Sequence, residues 1–327
     1  MMMDTLHTLI VETLPFALPL FIMAIGGIYS ERSGVTNLAV EGLQGFGAFM
    51  GAFAAVLVVK KFMFFAPDSQ MPMYIALLFA FLGGMLFATI HSVLCVKFKA
   101  NQVISGVVIN ILATALTGFL TSQLNESIFG AASSQFKLIP SARFSVPLLS
   151  QIPILGAFFT NVYPFEVIII VVALSAWYVL YKTPFGMHLR ACGDNPHAVD
   201  AAGVDVGRVR FLAVMLSGGL SGLGGICFAY SLSVQFSPSI YMGYGYLAIA
   251  ALIFGNWQIL PTLGSCLIFG FARAAGYNLP LIYDMPVAFK DLFMILPYVV
   301  TLLLLVFFSK SNRAPRALGE IYDKGKR

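Results

Sequence analysis

Residues able to do catalytic chemistry are few in this sequence, and they do not fall at reactive spacings. Enzymes that act within membranes need a nucleophile with its base, a metal or paired acids. The sequence has no HExxH motif, no GxSxG with a histidine suited to it, and no aspartates paired inside its apolar runs. The segment HAVD sets His197 and Asp200 three residues apart, which helix capping or partner contact explains more simply than catalysis. We expect no enzyme activity from this chain.

Metal and nucleotide sites are equally poorly supported. The four cysteines form no CxxC pair, and only Cys192 has histidines close by, His188 and His197, without a second thiol. No GxxxxGKS or GxxxxGKT segment is present to cradle the phosphates of ATP. We therefore expect no cofactor, no metal and no ATP hydrolysis by this chain itself.

The composition is that of a membrane protein. Hydrophobic residues make up 59% of the 327 residues and charged residues only 10%, against roughly 45–50% and about 25% in soluble domains. Apolar runs of about 18 residues or more recur from Leu9 to Phe308, long enough to cross a hydrocarbon core about 30 Å thick as helices. We predict an all-α integral membrane protein, a polytopic bundle of about eight to ten transmembrane helices. The candidate spans are 8–28, 38–59, 72–95, 103–122, 164–181, 211–232, 245–256 with 258–275 as a broken pair, and 291–308.

Basic residues indicate which segments face the cytoplasm. They crowd into 182–210, into the tail after Phe308 and into the short link that holds Lys97 and Lys99. Cytoplasmic loops carry an excess of Lys and Arg, so we predict that these three segments are cytoplasmic. The stretch 123–163 is long but has only two basic residues, which predicts that it lies outside.

The side of the membrane on which the N-terminus lies is harder to predict from the basic residues. Counting spans back from 123–163 puts the N-terminus outside and leaves Lys60 and Lys61 outside as well, against the positive-inside rule. Either the count of spans misses one short helix near 30–60, or the lysine pair is an exception to this rule. The glycine-rich stretch 42–51 is the candidate place for such a broken or re-entrant helix, since glycine weakens helices and permits close backbone approach.

The predicted domain organisation is simple. Residues 1–308 form one transmembrane domain that includes the cytoplasmic loop 182–210, and a basic cytoplasmic tail occupies 309–327. The N-terminal segment MMMDTLHTLIVE has no basic region before its apolar run. We therefore expect the first helix to be retained rather than cleaved as a signal peptide.

The loop 182–210 contains the most informative pattern, a short helix with a signal at each end. Asp194 or Asn195 can cap its start. Pro196 suits the first helical position, and Gly203 suits the left-handed backbone conformation that commonly follows the end of a helix. A partner-binding helix and an interfacial connector between two spans would both show this pattern, so the loop alone leaves the two roles open.

Polar residues inside apolar runs are candidates for a transport path. Glu41 is ionisable and lies in the stretch NLAVEG, and such residues within spans are costly and functional by default. A carboxylate that caps a helix or pairs with Arg32 is the alternative. The other candidates are Asn37, Asn110, Asn256 and Trp257. Amides can hydrogen-bond a polar solute and an aromatic ring can stack on a flat one, although hydrogen bonding between helices is the commoner role of an intramembrane amide.

Three further ionisable residues lie in apolar surroundings. Glu12 and His91 have no partner that the sequence identifies, so a proton relay through them is a remote alternative. Arg273 falls at the end of the predicted span 258–275, where we expect its side chain to reach the membrane interface.

Three segments of the chain resemble one protein family. They are SGVTNLAVEGLQGFGAF (33–49), TPFGMHLRACGDNPHAVDAAGVDVGRVR (183–210) and GYGYLAIAALIFGNWQILPTLGS (243–265). In this order they are similar to the permease subunits of bacterial ABC importers of the branched-chain amino acid and ribose type. The likeness is greatest to the branch that serves nucleosides, simple sugars and, in some relatives, riboflavin.

The resemblance implies partners and a docking site. In that family a short cytoplasmic coupling helix docks on the ATP-binding subunit and passes its movement to the membrane helices. The matching residues are Gly193, Asp194, Asn195, Pro196, His197, Ala198, Asp200, Ala201, Ala202 and Gly203. The resemblance also implies a second permease, identical or homologous, and an extracytoplasmic substrate-binding protein. The setting implied is the lipid of a bacterial inner membrane, with no nucleic-acid partner.

The substrate implied by the resemblance is a nucleoside. Riboflavin and simple sugars such as ribose are the alternatives, because specificity in such importers is commonly set by the separate binding protein. A secondary transporter driven by an ion gradient is a remoter alternative, and it would need no ATP-binding subunit. The sequence leaves open whether the membrane unit is a homodimer or a heterodimer.

Overall fold

The computed structural model describes residues 2–65, 69–152, 155–239, 243–286, 292–293, 295–308 and 313–325. Helices account for most of this part of the chain. They are α1 Met2–Val11, α2 Leu14–Arg32, α3 Val40–Val56, α4 Met71–Ser92, α5 Gln102–Phe129, α6 Pro164–Lys182, α7 Pro184–Asp194, α8 Pro196–Ala201, α9 Val206–Phe228, α10 Tyr244–Phe254, α11 Ile259–Ile282 and α12 Leu296–Phe308. Two short strands, β1 Phe136–Lys137 and β2 Gln235–Phe236, pair antiparallel.

Seven helical segments in the described residues are long and apolar enough to cross a membrane. They are Thr5–Arg32, Val40–Lys61, Met71–Lys97, Gln102–Phe129, Pro164–Lys182, Val206–Ser233 and Ile259–Ile282. The shorter apolar helices α10 and α12 accompany them. The prediction of an all-α polytopic bundle is confirmed. The predicted broken pair is also confirmed, since α10 ends at Phe254 and α11 begins at Ile259.

Side-chain caps set the start of two long helices. The Asn101 side chain accepts hydrogen bonds from the N–H groups of Val103 and Ile104, at 3.0 and 3.1 Å, where α5 begins. Asp205 accepts one from the N–H of Arg208 at 3.0 Å at the start of α9. A helix start leaves its first amides without an intrahelical acceptor, and these side chains supply one.

Small residues allow α3, α4 and α9 to pack closely. A Cβ atom added to Gly222 of α9 would meet the backbone of Gly47 in α3 and of Ala80 in α4. Gly84 of α4 faces the backbone of Gly218 of α9 in the same way. Lipid provides no hydrophobic drive between helices, so close backbone packing through small residues holds membrane helices together.

The prediction of a break within 42–51 was wrong. Helix α3 is continuous through this stretch. Its glycines serve helix packing instead: a Cβ atom added to Gly51 would meet the backbone oxygen of Ala76, and Gly47 packs on α9. The van der Waals attraction between closely packed backbones offsets the low helix propensity of glycine.

One end of the bundle gathers the basic segments. Lys99 Nζ lies 2.8 Å from the Asp323 carboxylate, and Lys324 Nζ lies 3.3 Å from Asp200. The link between α4 and α5, the loop 182–210 and the tail therefore meet at one end, which we name the basic end. Their meeting agrees with the prediction that these segments share one side of the membrane.

The opposite end holds the start of the chain. Glu12, which follows α1, forms an ion pair with Arg143 at 3.2 Å. Lys60 lies over the Phe129 ring, 5.8 Å from its centre, where α5 ends. Lys60 and Lys61 therefore lie away from the basic end, and the described residues 33–61 contain one apolar span, Val40–Lys61.

Candidate functional site

Glu41 caps a helix other than its own. Its two carboxylate oxygens accept hydrogen bonds from the backbone N–H groups of Gly243 and Gly245, each at 2.6 Å. These groups belong to the start of α10, where the helix dipole attracts negative charge. A Cβ atom at Gly245 would meet the Glu41 backbone, so only glycine permits this approach. Arg32 does not pair with Glu41; its Nε donates to the Trp257 carbonyl at 3.0 Å.

A cavity of about 530 Å³ lies beside this cap, between α3, α5 and α10. We name it the Glu41 cavity. Its polar lining comes from Glu41, Gln44, Asn110, Thr114, Thr117 and Tyr246. Small-molecule sites typically measure about 300–1,000 Å³, and they combine an apolar wall with a few polar groups. The cavity therefore has the size and the hydrogen-bonding groups to hold a small polar solute.

Asn110 joins three elements around the Glu41 cavity. Its Oδ1 accepts a hydrogen bond from the N–H of Gly42 at 2.7 Å. Its Nδ2 donates to the Leu38 carbonyl at 2.8 Å and to the Tyr246 hydroxyl at 3.1 Å. One side-chain amide thus ties α5 to the start of α3 and to α10. Because an amide oxygen has two lone pairs, one acceptor position of Asn110 remains for a solute.

Sequence reasoning missed two hydroxyl groups of this lining. Thr114 and Thr117 follow Asn110 by four and then three residues, so all three lie on one face of α5. A polar stripe at helical spacing in an otherwise apolar span was the available signal. Gln44 follows Glu41 by three residues and shows the same signal on α3.

Asn37 contributes to packing rather than to the cavity wall. It is buried, and its Nδ2 donates to the Ser217 hydroxyl of α9 at 2.8 Å. Its Oδ1 accepts a hydrogen bond from the N–H of Ala39 at 3.1 Å. These bonds fix the segment that leads into α3, which is the structural role commonest for an intramembrane amide.

Asn256 and Trp257 lie at the other end of α10 from the Glu41 cap. Both have positive φ angles, 53° and 54°, in the break before α11. Trp257 Nε1 donates to the Glu31 carboxylate at 2.5 Å, and the Asn256 side-chain oxygen accepts from the N–H of Arg313 at 2.6 Å. The structure therefore places this pair at the basic end, apart from the Glu41 cavity. A contact of the pair with substrate stays a prediction.

The predicted loop helix is present as α8. Asn195 caps it, since its Oδ1 accepts a hydrogen bond from the N–H of Ala198 at 3.0 Å, and Asp194 does not. Pro196 occupies the first helical position. Gly203 follows the helix with a φ of 85°, a left-handed conformation that favours glycine. The start and stop signals in the sequence are confirmed.

Helix α8 presents one buried and one exposed face. Pro196 and Val199 are buried against the bundle. The exposed residues around it are Asp194, Asn195, His197, Ala198, Ala201, Ala202 and Gly203. The outer face is therefore made largely of small side chains, which would allow a partner surface to approach the helix backbone. Gly193, predicted in the same helix, belongs to α7, where a Cβ atom would meet the Arg32 carbonyl.

The C-terminal tail is bound to the basic end by backbone hydrogen bonds. The N–H of Ala317 donates to the Gly193 carbonyl at 2.8 Å. The N–H of Gly319 donates to the Gly34 carbonyl at 3.1 Å. The tail thus bridges the end of α7 and the segment between α2 and α3.

Side chains extend this contact to α8 and α9. Arg210 Nη1 donates to the Glu320 carbonyl at 2.8 Å. The rings of His197 and Tyr322 meet with their centres 5.3 Å apart. The tail therefore packs against the helix that the sequence predicted as a docking site.

The remaining ionisable candidates have local partners. His91 Nδ1 lies 2.8 Å from the Ser105 hydroxyl and 3.6 Å from Cys95 Sγ, in a buried cluster between α4 and α5. Glu12 pairs with Arg143 at the end opposite the basic end. Among the residues that the structure describes, no group of three or more His, Cys, Asp and Glu side chains is placed to hold a metal.

Comparison with known proteins finds a consistent set of relatives. The profile of the family described as "Branched-chain amino acid transport system / permease component" matches residues 9–305. The guanosine ABC transporter permease protein NupQ of Bacillus subtilis (strain 168) is 38% identical, over 98% of each chain. The nucleoside ABC transporter permease protein NupC of Lactococcus lactis subsp. cremoris (strain MG1363) is 36% identical, over 99% of each chain. The ribose import permease protein RbsC of Haemophilus influenzae is 27% identical, over 70% of this chain and 65% of its own.

Proposed function

The chain belongs to the family of branched-chain amino acid transport system permease components, and from this premise we propose that it forms the membrane path for nucleosides in an ATP-binding-cassette importer. One observation carries the substrate: identity of 38% and 36% over nearly the whole chain with permeases named for guanosine and for nucleosides. The lining of the Glu41 cavity supports the proposal. Its carboxylate, amides and hydroxyls can bond a ribose or a base, and Tyr246 offers a ring for stacking.

ATP hydrolysis is the task of a separate subunit in this proposal, since the chain has no phosphate-binding loop of the GxxxxGKS type. Helix α8 is the contact with that subunit. Its capped start, its left-handed exit and its exposed face of small residues support this role. A short helix held at both ends transmits displacement, whereas a flexible loop would absorb it.

A second permease, identical or homologous, completes the path. The Glu41 cavity opens at the surface of the bundle, where Ile111 is 65% exposed and Tyr246 50% exposed. A second permease packed over this opening would close the path away from lipid. The openness of the cavity in one chain supports this arrangement because a polar solute needs a wall on every side.

The basic end faces the cytoplasm in this proposal, and the opposite end receives substrate from an extracytoplasmic binding protein. The excess of Lys and Arg in the loop and tail supports that orientation. The described residues 130–152 and 155–163, together with the strand pair, offer the receiving surface. The membrane is then the inner membrane of a bacterium, and residues 309–327 are a cytoplasmic tail.

In this proposal, helix α10 transmits movement from the basic end to the Glu41 cavity. Its eleven residues span about 16 Å at a rise of about 1.5 Å per residue. One end is tied to α2 through Trp257 and Glu31, where α2 packs against the end of α7, and the other end is held by Glu41. When ATP binding moves α8, a shift at the Trp257 end would loosen the Glu41 cap and change the shape of the Glu41 cavity.

The first test is affinity co-purification of the chain from its native membrane, followed by uptake in proteoliposomes. We expect an ATP-binding subunit to co-purify, and ATP-dependent uptake of tritiated guanosine when the binding protein is supplied. Uptake driven by an ion gradient without that subunit would overturn the proposal. Ribose is the second candidate because the ribose permease relative matches 70% of this chain. Uptake of ribose but not of guanosine would put ribose first.

A further inference from the structure

Arg273 lies well inside a membrane-spanning helix. It follows Ile259, the start of α11, by 14 residues, or about 21 Å at a rise of about 1.5 Å per residue. The helix continues to Ile282, so the prediction that Arg273 ends a span was wrong. Its guanidinium carbon lies 4.7 Å from the centre of the Phe16 ring and 6.0 Å from that of Tyr244. The side chain thus points to aromatic rings of the bundle.

A second cavity, of about 210 Å³, lies at this guanidinium. We name it the Arg273 cavity. Its lining includes Phe16, Tyr244, Arg273, Tyr277 and Tyr298. Within the described part of the chain, the guanidinium of Arg273 makes cation–π contacts but no ion pair and no hydrogen bond. A charge held in a span is costly, and a guanidinium has five N–H donors that can bind a solute.

The Arg273 cavity and the Glu41 cavity share the first turn of α10. Tyr244 lines the first, whereas Gly243 and Tyr246 line the second. A Cβ atom added to Gly243 would lie 3.0 Å from the Tyr298 hydroxyl, and Tyr298 also lines the Arg273 cavity. The two cavities therefore flank the start of α10.

We propose that the Arg273 cavity is the subsite for the base of the transported nucleoside, an inference that rests on the proposed function. At about 210 Å³ it is smaller than most complete small-molecule sites, which measure about 300–1,000 Å³. It accommodates a flat base between aromatic rings, with the ribose directed to the polar groups of the Glu41 cavity. Stacking on aromatic rings tolerates every base, so it supplies affinity without selectivity.

Arg273 supplies the selectivity. A guanidinium bonds a guanine through O6 and N7 at once, because its N–H donors match the spacing of these two acceptors. Adenine presents an amino donor where guanine has O6, and pyrimidines have no N7. The subsite therefore favours 6-oxopurine nucleosides, such as guanosine, over adenosine and uridine.

The test compares uptake of guanosine and adenosine by the complete importer in proteoliposomes. Arg273→Gln removes the guanidinium and its charge, and Arg273→Lys keeps the charge but lacks the two parallel N–H donors of a guanidinium. We expect both variants to lower the ratio of guanosine uptake to adenosine uptake by about tenfold. Lys60→Gln is the matched control, since Lys60 also lies over an aromatic ring but at the end of the bundle. The same binding protein serves every variant, so its own preference cancels from the comparison.

Photolabelling locates the base directly. Irradiation of the purified complex with 8-azidoguanosine should label Tyr244 or Tyr277, and excess guanosine, but not uridine, should suppress the labelling. Labelling confined to the Glu41 cavity, or an unchanged uptake ratio in the Arg273→Gln variant, would contradict the proposal that the Arg273 cavity binds the base. If the wild-type importer takes up no nucleoside at all, the proposed function itself fails, so the two failures are distinguishable.

Discussion

A single carboxylate at Glu41 serves both architecture and the cavity. It accepts two hydrogen bonds at the start of α10 and also lines the Glu41 cavity. In a glutamine variant the amide nitrogen would face an N–H donor, because an amide has only one acceptor oxygen. The residue is therefore a sensitive position for both stability and transport.

We expect Glu41→Gln to assemble with its partners but to transport poorly. The loss of one charge-assisted hydrogen bond should destabilise the start of α10 by about 1–3 kcal/mol, and uptake should fall by about tenfold or more. The measurements are thermal unfolding of the purified complex and guanosine uptake in proteoliposomes. The exposed Glu126 of α5 provides the control variant Glu126→Gln. Lower thermal stability with unchanged uptake per folded complex would restrict Glu41 to a structural cap.

Cys192 illustrates how burial suppresses reactivity at the basic end. Burial raises the pKa of its thiol to about 11, although the nearby Arg210 acts in the opposite direction. The thiolate is the reactive form, so at pH 8 almost none of it is available. The remaining three cysteines are buried as well.

We expect the native protein to resist maleimide between pH 7 and 8.5. Mass spectrometry after labelling should find Cys192 unmodified, and denaturation in detergent should expose it to full labelling. The raised pKa places the onset of thiolate formation well above this range. Rapid labelling of Cys192 in the folded complex would show that the end of α7 opens in solution.

At the scale of elements, α8 is a short helix whose outer face is available to a partner. Ala198 and Ala201 are exposed, while Val199 between them is buried. Bulk added to the exposed face therefore obstructs a docking partner without disturbing the core. Proline at Ala198 acts differently, because it removes the N–H that bonds Asn195.

We expect Ala201→Arg to weaken capture of the ATP-binding subunit by at least about tenfold and to abolish uptake, with membrane insertion unchanged. Quantitative pull-down and proteoliposome uptake are the measurements. Ala131→Arg, at an exposed position at the end opposite the basic end, is the matched control for the pull-down alone. If Ala201→Arg captures the subunit as well as Ala131→Arg does, α8 is only a connector along the membrane surface.

At the scale of the whole molecule, the tail holds the basic end together. Residues 313–325 contact the segment after α2, the end of α7, and helices α8 and α9. The tail thereby supports α8 from one side. Buried Arg210 depends on this arrangement because its Nη1 donates to the Glu320 carbonyl.

Deletion of 313–327 should lower the unfolding temperature of the complex and weaken its hold on the ATP-binding subunit. Loss of the Glu320 carbonyl leaves a buried guanidinium with fewer acceptors, at a cost of about 1–3 kcal/mol. Differential scanning fluorimetry and pull-down measure the two effects. Removal of the last two residues alone is the control, and equal stability of the two truncations would contradict a structural role for the tail.

The orientation of the bundle is tested with single introduced cysteines. Ala202→Cys lies at the basic end and Ala131→Cys at the opposite end, both at exposed positions. We expect an impermeant maleimide to label Ala202→Cys only from the cytoplasmic side, and Ala131→Cys only from outside. The reverse result would invert the orientation and remove α8 from reach of a cytoplasmic ATP-binding subunit.

The sequence by itself determined what depends on local composition. Apolar run length predicted the spans, and the break between α10 and α11 was predicted within a few residues. The signals at Asn195, Pro196 and Gly203 predicted α8, because capping involves residues only a few positions apart. Clusters of basic residues predicted which segments meet at one end.

Only the tertiary structure decided which distant residues meet. Glu41 caps α10 about two hundred positions away, Trp257 bonds Glu31, and Arg273 lies over Phe16. It also showed that the glycines of α3 serve close packing rather than a break. Such partners depend on which helix faces pack together, and the periodicity of one helix does not specify the face of another. The cavities exist only where several such faces converge.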